Sequence, residues 1–216
     1  MEVIDTYEKD TPIKKIRREK IISVSKDLFY KRGLFNTTMK DISKASGIGR
    51  STMYEYFNTK EELMKCIKRE YLKDIYDLDL SLDKNLNGLE ELEVILEKYF
   101  DILLTKPEAV IFFMEYNRLV TVDHLENEKI EIEVYKSHEY ISRAMQKGKI
   151  DKTLDIDNIS KRIQIIIETI FGVASRIALT KASREDVNEY NIEIEEVKNL
   201  IQIMLYGITT KKCKKL

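Results

Sequence analysis

Helix breakers are scarce in this chain and they sit at intervals: 216 residues carry two prolines and seven glycines. A proline inside a helix costs about 3 kcal/mol and a glycine about 1 kcal/mol relative to alanine. A chain this poor in both is therefore constrained to long helices broken at a few points. Breaks are expected at Gly33, Gly47, Asn87-Gly88, Pro107, residues 121–126, Lys147-Gly148 and Ser183-Arg184. Between them apolar residues recur at helical spacing, and no segment carries the alternation and turn signals of a strand. The expected fold class is all-α, with about nine helices whose ends are uncertain by about two to four residues. They fall near residues 14–32, 38–46, 50–57, 59–80, 88–105, 107–120, 125–147, 156–181 and 185–208.

Several ends have visible chemistry. Lys31 and Arg32 precede Gly33, a pattern that closes a helix with a left-handed glycine. Thr38 with Asp41, and Thr59 with Glu62, have the three-residue spacing of capping boxes. The stripe Ile21, Ile22, Val24, Leu28 and Phe29 forms the inner face of the first helix, and Met39, Ile42 and Ala45 that of the second.

The charge is unevenly distributed. The whole chain is at −1, yet residues 12–60 hold twelve Lys and Arg against four Asp and Glu, a local +8. A basic quarter on an acidic remainder points to an anionic partner, nucleic acid first. A solvated basic face is the plainer alternative.

The stretch SGIGRSTMYEYF, residues 46–57, decides between them. At 3.6 residues per turn, Met53 and Phe57 fall on one side of a short helix. Ser51, Thr52, Glu55 and Tyr56 spread over the other, with Arg50 and Tyr54 at the boundary. A helix anchored by two residues and displaying the rest, preceded by a glycine turn and a partner helix, is a helix-turn-helix whose second helix enters a DNA major groove. Arg50 suits guanine or phosphate. Ser51 permits close approach, and the hydroxyls of Thr52, Tyr54 and Tyr56 suit phosphate oxygens. Lys60, in the first turn of the next helix, is a cation where the macrodipole disfavours one, unless a phosphate approaches.

The segment RREKIISVSKDLFYKRGLFNTTMKDISKASGIGRSTMYEYFNTKEELM, residues 17–64, resembles the DNA-binding domain of the TetR family of bacterial transcriptional regulators. The likeness rests on Gly33 and Phe35, Thr37-Thr38, Asp41-Ile42, Ala45, Gly47-Ile48, Thr52-Met53-Tyr54, Tyr56-Phe57, Lys60 and Glu62-Leu63. It implies three parts: a flexible arm at 1–13, a helix-turn-helix DNA-binding domain at 14–60, and a helical ligand-binding and dimerisation domain at 61–216. By the resemblance, Thr38, Thr52, Tyr54, Tyr56 and Lys60 meet phosphates. Arg50, Ser51 and Glu55 face base edges, and Arg17 and Arg18 touch the backbone or the minor groove. Gly49 departs from the family, which often places Ser or Thr there. Glycine still serves as an N-cap, at a cost of a few tenths of a kcal/mol.

The resemblance also implies a homodimer built on the last two long helices, with Gln164, Ile167, Phe171, Gly172, Ile201 and Leu205 as interface candidates. It implies an unidentified small-molecule effector in the C-terminal domain, for which Phe100, Phe113, Tyr116, Asn117, Tyr140 and Glu168 are candidates. Plain core packing is the competing reading for most of the aromatics.

No nucleophile–base pairing, glycine-rich phosphate loop or metal-ligand spacing is found, so no enzymatic activity, metal or cofactor is expected. His124 and His138 stand alone. Cys66 and Cys213 form no disulfide framework, and the start has no export signal, which fits a cytoplasmic protein. The apolar stretches, IQIIIETIFGVASRIAL among them, read as too short and too interrupted to span a bilayer. The tail KKCKKL lacks the aliphatic pair of a prenylation box. The expected function is a ligand-responsive repressor that binds a palindromic operator as a dimer. An activator that needs its ligand, and an adaptor that binds another protein, are the alternatives.

Overall fold

The computed structural model describes residues 11–76, 81–123, 132–183 and 194–210. The side chains at 76, 120–123, 132–138, 183, 194, 195 and 197 lie outside that description, as do the arm at 1–10, His124 and the tail at 211–216. Among the described residues there are nine helices: α1 (Pro12–Arg32), α2 (Met39–Ser46), α3 (Arg50–Tyr56), α4 (Lys60–Tyr76), α5 (Gly88–Thr105), α6 (Pro107–Asp123), α7 (Ile132–Ile150), α8 (Ile159–Ser183) and α9 (Ile194–Tyr206). One isolated antiparallel bridge, Leu154 with Thr209, is the extended pairing among them. The chain forms two compact units, Met1–Glu70 and Tyr71–Leu216, and the division falls within α4.

In the first unit α1 packs on α2 and α2 on α3. Pro12, expected to end a loose arm, instead opens α1 at its first position. A helix's first N–H has no partner to lose, and proline's fixed φ suits that site. Gly33 ends α1 with φ 83° and ψ 159°, and its N–H donates to Phe29 O at 2.8 Å. Its φ is positive as expected, but its ψ lies outside the left-handed helical basin. The inner face of α2 is Met39, Ile42 and Ser46, while Ala45 is exposed. Seven residues make nearly two full turns, so Ser46 returns beneath Met39 and Ala45 is rotated outward.

In the second unit α5 is central, packing against α6, α7, α8 and α9, while α8 also meets α6 and α7. Asn87 caps α5: its side chain accepts the N–H groups of Leu89 and Glu90, each at 3.0 Å. Glu90 returns to the Asn87 N–H at 2.8 Å, which completes a capping box. Tyr71 of α4 meets Phe112 and Phe113 of α6 with ring centroids 5.4 and 6.4 Å apart, and Phe112 stacks on Tyr116 at 5.7 Å.

The break expected at Lys147-Gly148 falls three residues later, because α7 continues to Ile150. Gly148 serves close packing instead. A Cβ added at Gly88 would lie 2.0 Å from Gly148 N, so α5 and α7 cross backbone against backbone. Beside this crossing Glu91, 7% exposed, receives Lys147 Nζ at 2.9 Å.

Asp151 ties the same corner together. It accepts the Gly88 N–H at 2.7 Å, the Thr153 N–H at 3.0 Å and the Thr153 hydroxyl at 2.6 Å. Thr153 O in turn accepts the Thr210 N–H at 3.1 Å, and Ile208 O accepts the Asp155 N–H at 2.8 Å. The chain after α9 is thereby joined to the turn after α7. Burial pushes the Asp151 carboxyl up. The Thr153 hydroxyl, the Gly88 and Thr153 amides and the Lys147 charge together outweigh it, and the group titrates below its ordinary value. A carboxyl lowered in the fold contributes its full stability above the unfolded value of about 3.9. It loses that contribution as pH falls through the lowered folded value. Asp151→Asn should therefore lower the melting temperature by about 2–4 °C at pH 7, the effect of about 1 kcal/mol in a chain of this size. The gap to wild type should narrow as pH falls through that lowered value. A gap that stays constant from pH 7 to pH 2 in calorimetry would contradict this account.

By length and composition, residues 159–182 of α8 would suffice to cross a membrane, and 33% of the apolar window is buried within the fold. The expectation of too short a stretch is corrected here, because the helix runs on past Leu179. The unburied apolar part lies on one stripe: Ile165 is 48% exposed and Leu179 42%, in line with Gly172, where an added Cβ meets nothing within 4 Å.

Candidate nucleic-acid interface

The reading helix is positioned from behind. Met53 and Phe57 are fully enclosed, as expected from the wheel. Their opposite numbers Arg50, Ser51, Tyr54 and Glu55 are exposed, and Thr52 and Tyr56 are half-buried. Gly47 adopts φ 67° and ψ 15°, the left-handed conformation that lets α2 turn into α3 within three residues. Ser43 of α2 donates from its hydroxyl to Ile48 O at 2.7 Å and fixes the turn from the α2 side. Gly49 is the N-cap of α3 and offers no side-chain bond there.

Thr38 is the N-cap of α2 and its capping box with Asp41 is complete. The Thr38 hydroxyl donates to Asp41, the Thr38 N–H reaches the same carboxylate oxygen at 2.9 Å, and the Asp41 N–H returns to Thr38 Oγ1 at 3.2 Å. The hydroxyl and then the amide of Thr38 hold the Asp41 carboxyl below its ordinary value. A hydroxyl has one proton, and here it is committed to Asp41. A phosphate contact from the Thr38 hydroxyl requires that bond to be exchanged.

The second expected capping box is split. Thr59 Oγ1 accepts the Glu62 N–H at 3.1 Å, but the Glu62 carboxylate returns to the N–H of Asn58 at 2.9 Å, one residue earlier than the pattern implies. Lys60 folds back, and its ammonium donates to the Leu34 carbonyl. That carbonyl, in the turn after α1, stabilises a cation at a helix start where the macrodipole alone would not.

Arg17 is exposed on α1. Arg18 is not. Its guanidinium lies over the Phe57 ring, 5.2 Å from the centroid, and Nη2 reaches Cys66 Sγ at 3.0 Å. The expectation that Arg18 touches DNA is corrected by this inward position, since the planar group packs where an aromatic face and a sulfur acceptor meet it. Burial pushes the Cys66 thiol up, against the pull of the Arg18 charge, and keeps it protonated at neutral pH. Sequence reasoning missed this brace between α1, α3 and α4 because its three members are far apart in the chain. It also did not single out Lys40 and Lys44, exposed on α2 and contributing to the local +8.

The C-terminal candidates are not gathered into one place. Phe100, Phe113 and Tyr116 are buried core residues of α5 and α6. Tyr140 is half-buried with Arg143 5.3 Å over its ring, whereas Asn117 and Glu168 are exposed. Of the dimer candidates, Gln164 and Gly172 are exposed and Ile167 and Phe171 half-buried. Ile201 and Leu205, 1% and 2% exposed, belong to the core of the C-terminal unit, which corrects their place among the dimer candidates. One turn separates them, so they share the inner face of α9. Ile203 and Tyr206, 69% and 47% exposed, mark its outer side.

Known proteins agree with this arrangement. Residues 21–67, which run from the middle of α1 into α4, match the bacterial regulatory proteins of the tetR family. The HTH-type transcriptional repressor KstR2 of Rhodococcus jostii (strain RHA1) is 37% identical over 67 residues, 31% of this chain and 33% of that protein. KstR2 of Mycolicibacterium smegmatis (strain ATCC 700084 / mc(2)155) is 26% identical over 49% of this chain and 53% of its own length. The chain thus spans about a third to about half the length of these curated relatives. The structure of the ketosteroid transcriptional regulator KstR2 of Mycobacterium tuberculosis superposes with a TM-score of 0.60 at 21% identity, covering 90% of this chain and 96% of that one, which shows a shared fold. Residues 21–67 thus carry the tetR-family domain of bacterial regulatory proteins, and the nine helices among the described residues share the fold of that solved transcriptional regulator.

Proposed function

We propose that the protein is a homodimeric transcriptional repressor, which binds a palindromic operator through α2 and α3 and is released by a small molecule held in its C-terminal unit. The observation that carries the reading is the asymmetry of α3, with Met53 and Phe57 enclosed and Arg50, Ser51, Tyr54 and Glu55 exposed. Arg50, Ser51 and Glu55 are assigned to base edges, and Thr52, Tyr54, Tyr56, Lys60 and Arg17 to phosphates. Lys40 and Lys44 join the phosphate set. The repressor names of the relatives favour repression over activation.

The second copy is assigned to the outward stripe of α8, Gln164, Ile165, Glu168, Gly172 and Leu179, and to Ile203 and Tyr206 of α9. Large apolar side chains left in water on both helices support this. Two reading heads spaced about 34–36 Å apart fit successive major grooves. The cytoplasm is the compartment such a regulator works in.

The test is selection from a randomised duplex pool with the full-length protein. The expected result is enrichment of an inverted repeat with half-sites about one helical turn, 10–10.5 base pairs, or a multiple of it, apart. Ile203→Glu should shift the protein toward monomer in sedimentation and abolish enrichment of the repeat. Enrichment of a single unpaired half-site by a wild-type monomer would overturn the dimer, and no enrichment of any sequence would overturn the operator reading.

A further inference from the structure

Resting on the DNA-reading assignment above, we propose that Tyr54 is the positioning residue for Arg50, so that the two side chains read one base pair as a unit. Among the described residues the partner of the Arg50 guanidinium is the Tyr54 ring, whose centroid is 5.8 Å from Arg50 Cζ. This lies within the distance of about 6 Å over which an aromatic face attracts a cation. The two residues are one turn apart on α3, and helical side chains lean toward the N-terminus. The Tyr54 ring therefore covers the turn that begins at Arg50.

Among the described residues the N-terminal side of Arg50 offers no side chain from its own chain neighbour. Arg50 is the first residue of α3, and its neighbour Gly49 has no side chain and open space where one would be. The position is also one where the helix macrodipole disfavours a cation. The electron-rich ring face offsets this and draws the guanidinium along the outer surface of the helix. An exposed arginine is otherwise free to sample many rotamers. The ring holds its planar fork on the face that Ser51 and Glu55 share, where bidentate recognition of a guanine edge needs it. The Tyr54 hydroxyl, at the far end of the ring, stays available for a phosphate oxygen. One side chain thus has two separable roles: the ring positions Arg50, and the hydroxyl anchors the backbone contact.

The separation makes the test direct. Wild type, Arg50→Ala, Tyr54→Phe, Tyr54→Ala and the double variant Arg50→Ala/Tyr54→Ala are each incubated with the same randomised duplex pool, and the bound fractions are sequenced. Melting curves confirm that every variant is folded. Arg50→Ala should flatten the preference at one base pair of each half-site by about tenfold, the discrimination of one bidentate contact. Tyr54→Ala should flatten the same base pair to a similar degree, and the double variant should be no flatter than Arg50→Ala. Tyr54→Phe should keep that preference while lowering affinity evenly across sequences and reducing the dependence on salt.

The proposal is overturned if Tyr54→Ala weakens binding evenly with the preference intact, if the two single effects on preference add in the double variant, or if Arg50→Ala leaves every position unchanged. Should wild type bind and select sequences in any of these cases, the regulator reading stands and the positioning role alone falls. Should wild type bind no duplex, both fall together.

Discussion

Phe57→Ala is expected to cost the N-terminal unit about 3–5 kcal/mol, the range for deleting a fully enclosed phenylalanine. It should also abolish DNA binding without removing any group that touches DNA. Phe57 is 1% exposed and closes α3, and its N–H donates to Met53 O at 3.1 Å. Its ring carries the Arg18 guanidinium, which in turn reaches Cys66 on α4. Truncation leaves a cavity beneath the reading helix and deprives a half-buried cation of its aromatic floor. A small domain has total stability of the same order as this loss, so α2 and α3 should open readily. Amide hydrogen exchange across residues 39–57 is the measurement. Protection there should collapse in Phe57→Ala and largely persist in Phe57→Leu, which keeps most of the buried volume. Retained protection in the alanine variant would show that α3 is held by something other than its two anchors.

The second large effect is expected from the smallest substitution. Gly88→Ala places a methyl group 2.0 Å from Gly148 N, 2.3 Å from Gly148 Cα and 2.8 Å from the Lys147 carbonyl carbon. All three are backbone atoms, so no rotamer change relieves the clash and α5 must part from α7. That movement also pulls the Gly88 N–H from Asp151 and Glu91 from Lys147. Overpacking of a tight contact costs about 1–3 kcal/mol and occasionally more, and this case belongs at the upper end.

At Gly148 an added Cβ meets the side chain of Leu154, with Cδ1 at 2.5 Å, and a side chain can shift. Calorimetry should therefore rank wild type above Gly148→Ala, and Gly148→Ala above Gly88→Ala. Helix propensity alone favours alanine over glycine by about 1 kcal/mol inside a helix, which for Gly148 predicts the opposite sign. A Gly88→Ala variant as stable as wild type would mean that the helices do not meet at that point.

These two sites mark where the sequence is legible and where it is not. Helix ends governed by neighbouring residues are plain from the amino-acid order alone: Thr38 with Asp41, Asn87-Gly88, and Lys31-Arg32 ahead of Gly33. Their chemistry is complete within four or five residues. The anchors Met53 and Phe57 are legible for the same reason, since one turn of helix puts them on one side. Gly148 is misread as a break because what crowds it is tertiary: the Leu154 side chain folds back over it, and the α5 backbone at Gly88, sixty residues away, lies against its own.

Arg18 is misread because its partners, Phe57 and Cys66, lie on other helices, and a basic residue beside Arg17 looks like part of a surface patch. Ile201 and Leu205 have the right periodicity for an apolar face, but periodicity does not say which apolar face looks inward. What separates them from the outward Ile203 and Tyr206 is the seating of α9 on α5, a contact between segments about a hundred residues apart. Aromatic content in the middle helices is likewise explained largely by the core, with Tyr71, Phe112, Phe113 and Tyr116 packed on one another.

The proposed function stands or falls on α3 and its neighbours facing DNA. The most direct measurement is fluorescence anisotropy of a labelled duplex from the region upstream of the protein's own gene, beside a random duplex, titrated with the full-length protein over a salt series. A protein making about six to ten phosphate contacts loses about a thousandfold or more in affinity between about 50 and 200 mM salt, so a linear log–log plot of that steepness is the expected result. An affinity that is absent for both duplexes at every salt concentration, or that does not change with salt, would contradict the account.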